Sequence, residues 1–357
     1  MSNVTTTFPG VYIDEDASPA VSVSQGATAV PLFIGKFSAS DDNYKKIITR
    51  VSSWLDFCQK FTVDIALQLY FQNGGGACYI YPLEDATDTA CTSGLPDMID
   101  KVGDITLFVV SENDVTYKST VYGILTPSLT VNKGYFLLAD SHDGTPPAGL
   151  GDNAHIAVYY PPLIPVSSAS STVSASAVMA GVYCRTDRER GVWKAPANVE
   201  LAGVSDVSFR VTDDTQSQMN QLGVNAIRYF SDRGVIAWGG RTLKPDDDNW
   251  RYIPVRRLFD TAERDIKKAM RAMVFEPNNA LTWKRVKIAI ENYLHGIWLL
   301  GGLAGNKAEE AYSVQIGKDR TMTTDDINQG KMIVQVGMAA VRPAEFIILQ
   351  FTQDMSQ

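Results

Sequence analysis

Three apolar runs decide the fold: DITLFVV (Asp104–Val110), GYFLLAD (Gly134–Asp140) and HIAVYYPPL (His155–Leu163). Each is short and continuous, the pattern of a strand buried on both faces rather than of one with a solvent side. The segments between them are long enough for helices or loops. Strands alternating with such connections predict an α/β layer arrangement.

The same reading extends in both directions. Upstream, VSVSQGATAVPLFIGKF (Val21–Phe37) passes from alternation into a continuous apolar run, as expected of a strand entering a buried sheet. Trp54, Leu55, Phe57, Phe61, Ile65, Leu67 and Leu69 then fall at helical spacing within Val51–Phe71, a pattern that stops at Gly74-Gly75-Gly76 before the strand-like CYIYPL. The Ser/Ala-rich stretch Ser167–Ser176 reads as a loop.

Downstream, Val255–Phe275 places Leu258, Phe259, Ala262, Ile266, Ala269, Met270 and Met273 on one helical stripe, with the Arg and Lys residues expected to face outward. A second helix follows, with Thr282 as its expected cap and Gly301-Gly302 as its stop. Three strand-like runs close the chain: AYSVQIG, KMIVQVGMAAV and EFIILQFTQ. The polar link TMTTDDINQG between the first two suits a short capped turn. At the other end, Phe8-Pro9-Gly10 is a turn signal ahead of Val11, Tyr12 and Ile13, and residues 1–20 read as an extended arm.

Bulk composition narrows the function. With 357 residues the chain can bury a large core and divide into two or three units. A formal net charge of −8 disfavours nucleic acid and anionic membrane as partners, and no apolar run reaches the roughly 20 residues a spanning helix needs. Met1–Pro19 lacks a basic segment leading into an apolar one, so no secretory signal is expected. Cys58, Cys78, Cys91 and Cys184 have no metal or redox spacing and read as reduced packing residues.

Motifs that would carry catalysis are missing. There is no phosphate-cradling glycine loop, and His142, His155 and His295 lie far apart, each expected to be surface or half-buried. Asp246-Asp247-Asp248 lacks the alternating oxygen ligands of a calcium loop and reads as a solvated turn. Asp14, Glu15 and Asp16 have no partner suited to acid–base work. No catalytic residue, metal ligand or cofactor is therefore assigned. The most distinctive charged stretch, RTDRERGVWKAPAN (Arg185–Asn198), reads as a salt-bridged turn that braces the body, with Arg185, Asp187, Arg188, Glu189 and Arg190 as the network and Trp193 and Pro196 as anchors.

Four stretches together resemble one family, the contractile tail sheath proteins of phages and of extracellular contractile injection systems. They are FPGVYIDEDASPAVSVSQGATAVPLFIG (Phe8–Gly35), AGVYCRTDRERGVWKAPAN (Ala180–Asn198), IRYFSDRGVIAWGGRTL (Ile227–Leu243) running into WRYIPVRRLFDTAERDIKKAMRAMVFEPNN (Trp250–Asn279), and VRPAEFIILQFTQ (Val341–Gln353). Residues 86–176 carry little of this signal.

The resemblance implies a mixed α+β, α/β fold in several units: a core sheet flanked by helices, a small C-terminal β-sheet and extended arms. It divides the chain into an N-terminal arm (1–20), a first part of the body (21–100), an outer α/β part (101–200), a C-terminal sheath domain (201–340) and a C-terminal arm (341–357). It further implies a subunit that polymerises as six-fold rings around an inner tube, held extended and metastable until contraction drives the tube through a target envelope. The implied partners are other copies of the chain, the tube protein, baseplate and terminal cap proteins and sheath paralogues. Assembly in a bacterial cytoplasm and release as a particle follow from the same resemblance.

In that family, arms of neighbouring subunits complete the small sheet. Here the resemblance assigns Val11, Tyr12 and Ile13 to one arm and Phe346, Ile347, Ile348, Leu349 and Phe351 to the other. It assigns Val314, Ile316, Ile333, Val334 and Val336 to the acceptor hairpin, and Arg257, Arg264, Lys267, Lys268 and Arg271 to the tube-facing surface. Two other readings compete. An α/β enzyme would need a clustered nucleophile, base or cofactor loop, and a surface-binding module would be a stable monomer.

Overall fold

The computed structural model describes residues 22–346. The strands in chain order are β1 Pro31–Gly35, β2 Thr49–Val51, β3 Cys78–Pro82, β4 Leu107–Val110, β5 Phe136–Asp140, β6 Ile156–Tyr160, β7 Leu163–Pro165, β8 Val199–Glu200, β9 Val204–Val207, β10 Val224–Phe230, β11 Gly234–Trp238, β12 Tyr312–Gln315 and β13 Gln335–Met338. The α-helices are α1 Trp54–Lys60, α2 Ile65–Gln72, α3 Thr89–Thr92, α4 Leu95–Val102, α5 Val115–Leu125, α6 Ala175–Arg190, α7 Asp213–Gln221, α8 Ile253–Met270, α9 Ala280–Leu299, α10 Ala308–Ala311 and α11 Thr324–Asn328.

Nine strands form one sheet in the order β2-β3-β1-β4-β5-β6-β10-β11-β8. Strands β3, β1, β4, β5, β6 and β10 run parallel, and β2, β11 and β8 add antiparallel edges. The continuous apolar runs are the parallel strands, because helices cover both faces and leave no residue a solvent side. Phe33, Ile80, Val109 and Leu138 point to one face, packed by Phe57 of α1, Leu67 of α2 and Val178 of α6. Their neighbours Leu32, Tyr81, Phe108 and Leu137 point to the other, packed by Leu95 of α4, Val121 of α5 and Met219 of α7. Residues from 31 to 238 contribute to this sheet, so it crosses the expected boundaries near 100 and 200.

A separate core holds the C-terminal part, where Leu258 and Ala262 of α8, Val286, Ile290 and Leu294 of α9 and Val314 of β12 meet Val192. Strands β12 and β13 pair antiparallel with Val314 opposite Val336, and β7 and β9 form another two-stranded sheet. Among the described residues no helix is long and apolar enough to cross a membrane.

Several local expectations change. The helical run at Val51–Phe71 is β2 and two helices: Phe61 bridges to Ala39 and Asp64 caps α2 through the Leu67 amide, so the chain must break. The strand expected over Val21–Phe37 is only β1. Helix α9 is capped by Asn279, whose side chain accepts from the Leu281 and Thr282 amides, and Thr282 lies inside it. His155 is buried rather than half-exposed, its Nε2 lying 3.3 Å from Asp260 Oδ1. The link before β13 does carry a capping box, between Thr323 and Asp326.

Candidate functional site

The charged stretch at Arg185–Asn198 is not a turn throughout: Arg185–Arg190 form the last turns of α6. Gly191, at φ 90°, ends the helix in a conformation that suits a residue without a side chain. Val192 and Trp193 then leave the sheet body and enter the C-terminal core. The stretch therefore joins two cores.

Its charges divide. Asp187 forms a buried ion pair with Arg257 of α8 at 2.6 Å, with side chains 4% and 3% exposed. Thr28 Oγ1 donates to Asp187 at 2.6 Å and Arg257 donates to the Thr28 carbonyl at 3.1 Å, while the Arg257 guanidinium lies over the Tyr183 ring. Burial pulls the Arg257 pKa down, but the adjacent Asp187 carboxylate outweighs it and the net shift is upward. Arg185 and Arg188 instead donate to the backbone carbonyls of Glu200 and Gly74. Glu189 and Arg190 are exposed.

The basic face assigned to α8 also divides. Arg257 does not face outward, and neither does Arg256, which pairs with Asp260 at 2.9 Å and lies 4.1 Å from the Trp250 ring centre. Both are corrections to the amphipathic reading, and their cause is buried carboxylate partners on the inner side. Arg264 is half-buried beside Thr261, and burial lowers its pKa. Lys267, Lys268 and Arg271 remain exposed at the end of the helix.

The segments assigned to the hairpin pair as β12 and β13, backed by α9. Val314 and Val336 lie in the ladder, whereas Ile316, Ile333 and Val334 flank it. Val314 is buried and Ile333 is 41% exposed. Among the described residues this sheet has two strands, which alone would be marginal. Val11, Tyr12, Ile13, Ile347, Ile348, Leu349 and Phe351 lie outside the described residues, while Phe346 is 72% exposed.

Both chain ends enter the described fold close to α8 or the loop before it. Gly26 donates to Asp265 Oδ1 at 3.2 Å, and Tyr293 donates to Asp265 Oδ2 at 2.8 Å. Burial, then that carboxylate, raises the Tyr293 pKa. At the other end Glu345 is held by Arg241 and by Tyr252, a contact sequence reasoning missed because the partners are about a hundred residues apart.

Little here suits catalysis. The parallel order reverses between β1 and β4, where α/β folds place ligands beyond the strand ends. At that point the Glu112 carboxylate accepts from the Lys36 amide. Asp247 and Asp248 pair with Lys244 and Arg251. Among the described residues no group of three His, Cys, Asp or Glu side chains could hold a metal.

Comparison with known proteins accounts for this arrangement. Residues 148–243 match the phage tail sheath protein central domain and residues 245–354 the phage tail sheath C-terminal domain. The chain is 61% identical, with TM-score 0.90, to the helical sheath of the anti-feeding prophage in its contracted state, covering 98% of this chain and 100% of that one. It is 44% identical, with TM-score 0.82, to the contracted PVC sheath of an extracellular contractile injection system, covering 99% of each. The tail sheath protein of Vibrio phage KVP40 is 25% identical over 48% of this chain, and the match spans only 25% of that longer relative. These relatives are sheath components of phage tails or of injection particles. The chain belongs to the contractile tail sheath family.

Proposed function

We propose that this chain polymerises as six-fold rings around an inner tube, is held extended and metastable, and contracts to drive the tube through a target envelope. The observation that carries the reading is the β12–β13 sheet, which has two strands among the described residues and packs on the core that Val23, near the N-terminal segment, also joins. Strand addition from neighbouring copies would complete it through main-chain hydrogen bonds. Val11–Ile13 supply one β-prone segment and Phe346–Leu349 with Phe351 the other.

Such linkages act as hinges, so bodies rotate without dissociating. Contraction then draws its free energy from body-to-body contacts formed in the shorter state. The tube contact falls to Lys267, Lys268 and Arg271, the members of the basic set that remain exposed. Exposed ion pairs contribute about 0.2–1 kcal/mol each, enough to hold cooperatively and still release. The remaining partners are baseplate and cap proteins and sheath paralogues, with assembly in the bacterial cytoplasm before release as a particle.

Negative-stain microscopy of the purified chain, alone and with tube protein, tests the reading. Full-length protein is expected to form rings or tubes; a chain ending at Val341 should stay folded and monomeric. Polymerisation of that truncated chain would overturn the arm exchange. Reversing charge at Lys267, Lys268 and Arg271 should block extended assembly on the tube without changing the monomer's unfolding, and normal extended assembly would remove the tube assignment.

A further inference from the structure

The first and last described segments are fastened to the body in different ways. The N-terminal root is tied at Thr28 through the Asp187–Arg257 pair, whose side chains are 4% and 3% exposed. The C-terminal root is tied at Glu345 through Arg241, with side chains 20% and 14% exposed. Arg241 donates from Nε to Glu345 Oε1 at 2.9 Å and from Nη2 to Oε2 at 2.7 Å, and Tyr252 Oη donates to Oε2 at 3.4 Å. Two parallel bonds from one guanidinium fix direction as well as distance.

The clamp is built beforehand by the body. The Arg241 amide donates to Asn225 Oδ1 at 2.7 Å, and Asn225, 1% exposed, also donates to the carbonyls of Val158 and Arg241 at 3.0 and 2.8 Å. Arg241 Nη1 donates to the Asn220 carbonyl at 2.9 Å. The strap it holds begins in the other core, because Leu303 bridges to Ala340 and the Val341 amide donates to the Gly302 carbonyl at 3.4 Å. Between these ties lie only Arg342, Pro343 and Ala344, with Pro343 limiting backbone freedom. Residues 343–346 form one wall of a groove of about 730 Å³ whose other walls include Asn220, Arg228 and Trp238. The strap thus leans over the body without being embedded in it.

We propose that Arg241 and Tyr252 form a releasable latch on Glu345 that sets the direction in which the C-terminal arm leaves the body. This inference rests on the arm-exchange reading above. While the latch is closed the arm pivots after Glu345; once it opens, the pivot moves back to Val341 and the arm gains the reach of the 342–345 strap. The pair at Glu345 and Arg241 is partly open to water and the Asp187–Arg257 pair is not, so it is the C-terminal root that changes reach.

The test uses the full chain, as soluble subunit and co-assembled with tube and baseplate proteins. Glu345→Ala and Arg241→Ala should each speed chymotryptic cleavage after Phe346 in the soluble subunit about tenfold. Each should also lower the fraction of particles carrying an ordered extended sheath. The exchanged pair Arg241→Glu with Glu345→Arg should restore both, which a variant that merely misfolds would not do. Unchanged cleavage and unchanged assembly in the single variants would overturn the latch, as would an exchanged pair no better than the singles. A chain lacking residues 347–357 separates the two claims. If it fails to assemble while Glu345→Ala behaves as the parent, the latch is wrong and arm exchange stands; if it assembles normally, arm exchange itself is wrong.

Discussion

Asp187 and Arg257 show how much a single buried pair can organise. Each side chain alone would be a charge out of water; together they satisfy one another, Thr28 and the Tyr183 ring face. Asp187→Ala should lower unfolding free energy by about 3–5 kcal/mol, because an uncompensated guanidinium would remain. Replacing both residues with apolar ones of similar volume should cost much less. Urea unfolding of the two variants checks this, and equal losses in the single and the double variant would contradict it. The same residues mark the limit of amphipathic reading at this scale. Periodicity places Arg256 and Arg257 outside the core stripe, but Asp260 and Asp187 reach them from one turn on and from another helix.

At the scale of elements, close approach between α2 and α6 depends on Gly181. A Cβ there would press into the Tyr70 carbonyl oxygen. Gly181→Ala should therefore destabilise by about 1–3 kcal/mol through overpacking, despite alanine's better helix propensity, and thermal denaturation would read the sign. Helix α11 offers the opposite case, a short element held by local chemistry. Thr323 accepts from the Asp326 amide while Asp326 accepts from the Thr323 amide. Removing that exchange with Thr323→Ala should cost about 1 kcal/mol, seen as faster amide exchange confined to the link between β12 and β13. Unaltered exchange there would mean that packing, not capping, holds the turn.

For the whole molecule, the question is how a sheet body and a smaller C-terminal core behave as one subunit. Val192 and Trp193 cross from α6 into that core, and Gly302 lies so close to the indole that a Cβ would come within 2.8 Å of it. Trp193→Ala should lower stability by about 3 kcal/mol. It should also split one unfolding transition into two, the C-terminal core melting before the sheet. Coincident transitions by far-ultraviolet circular dichroism and tyrosine fluorescence in that variant would show that other contacts couple the cores.

Much of this was legible beforehand. Parallel strands buried on both faces must be apolar throughout, so DITLFVV, GYFLLAD and HIAVYYPPL declared the α/β layer by themselves, and Thr323-Thr324-Asp325-Asp326 declared its own cap. The hairpin of β12 and β13 was legible for the same local reason. What the tertiary structure alone decided were the pairings across distance: Asp187 with Arg257, Asp260 with Arg256 and His155, Glu345 with Arg241, and the entry of Trp193 into a second core. Periodicity and capping act within a few residues and are written in sequence order, whereas an ion pair depends on which surfaces meet after folding. Hence the charged stretch at Arg185–Asn198 announced that it mattered, and only the fold showed that it joins two cores.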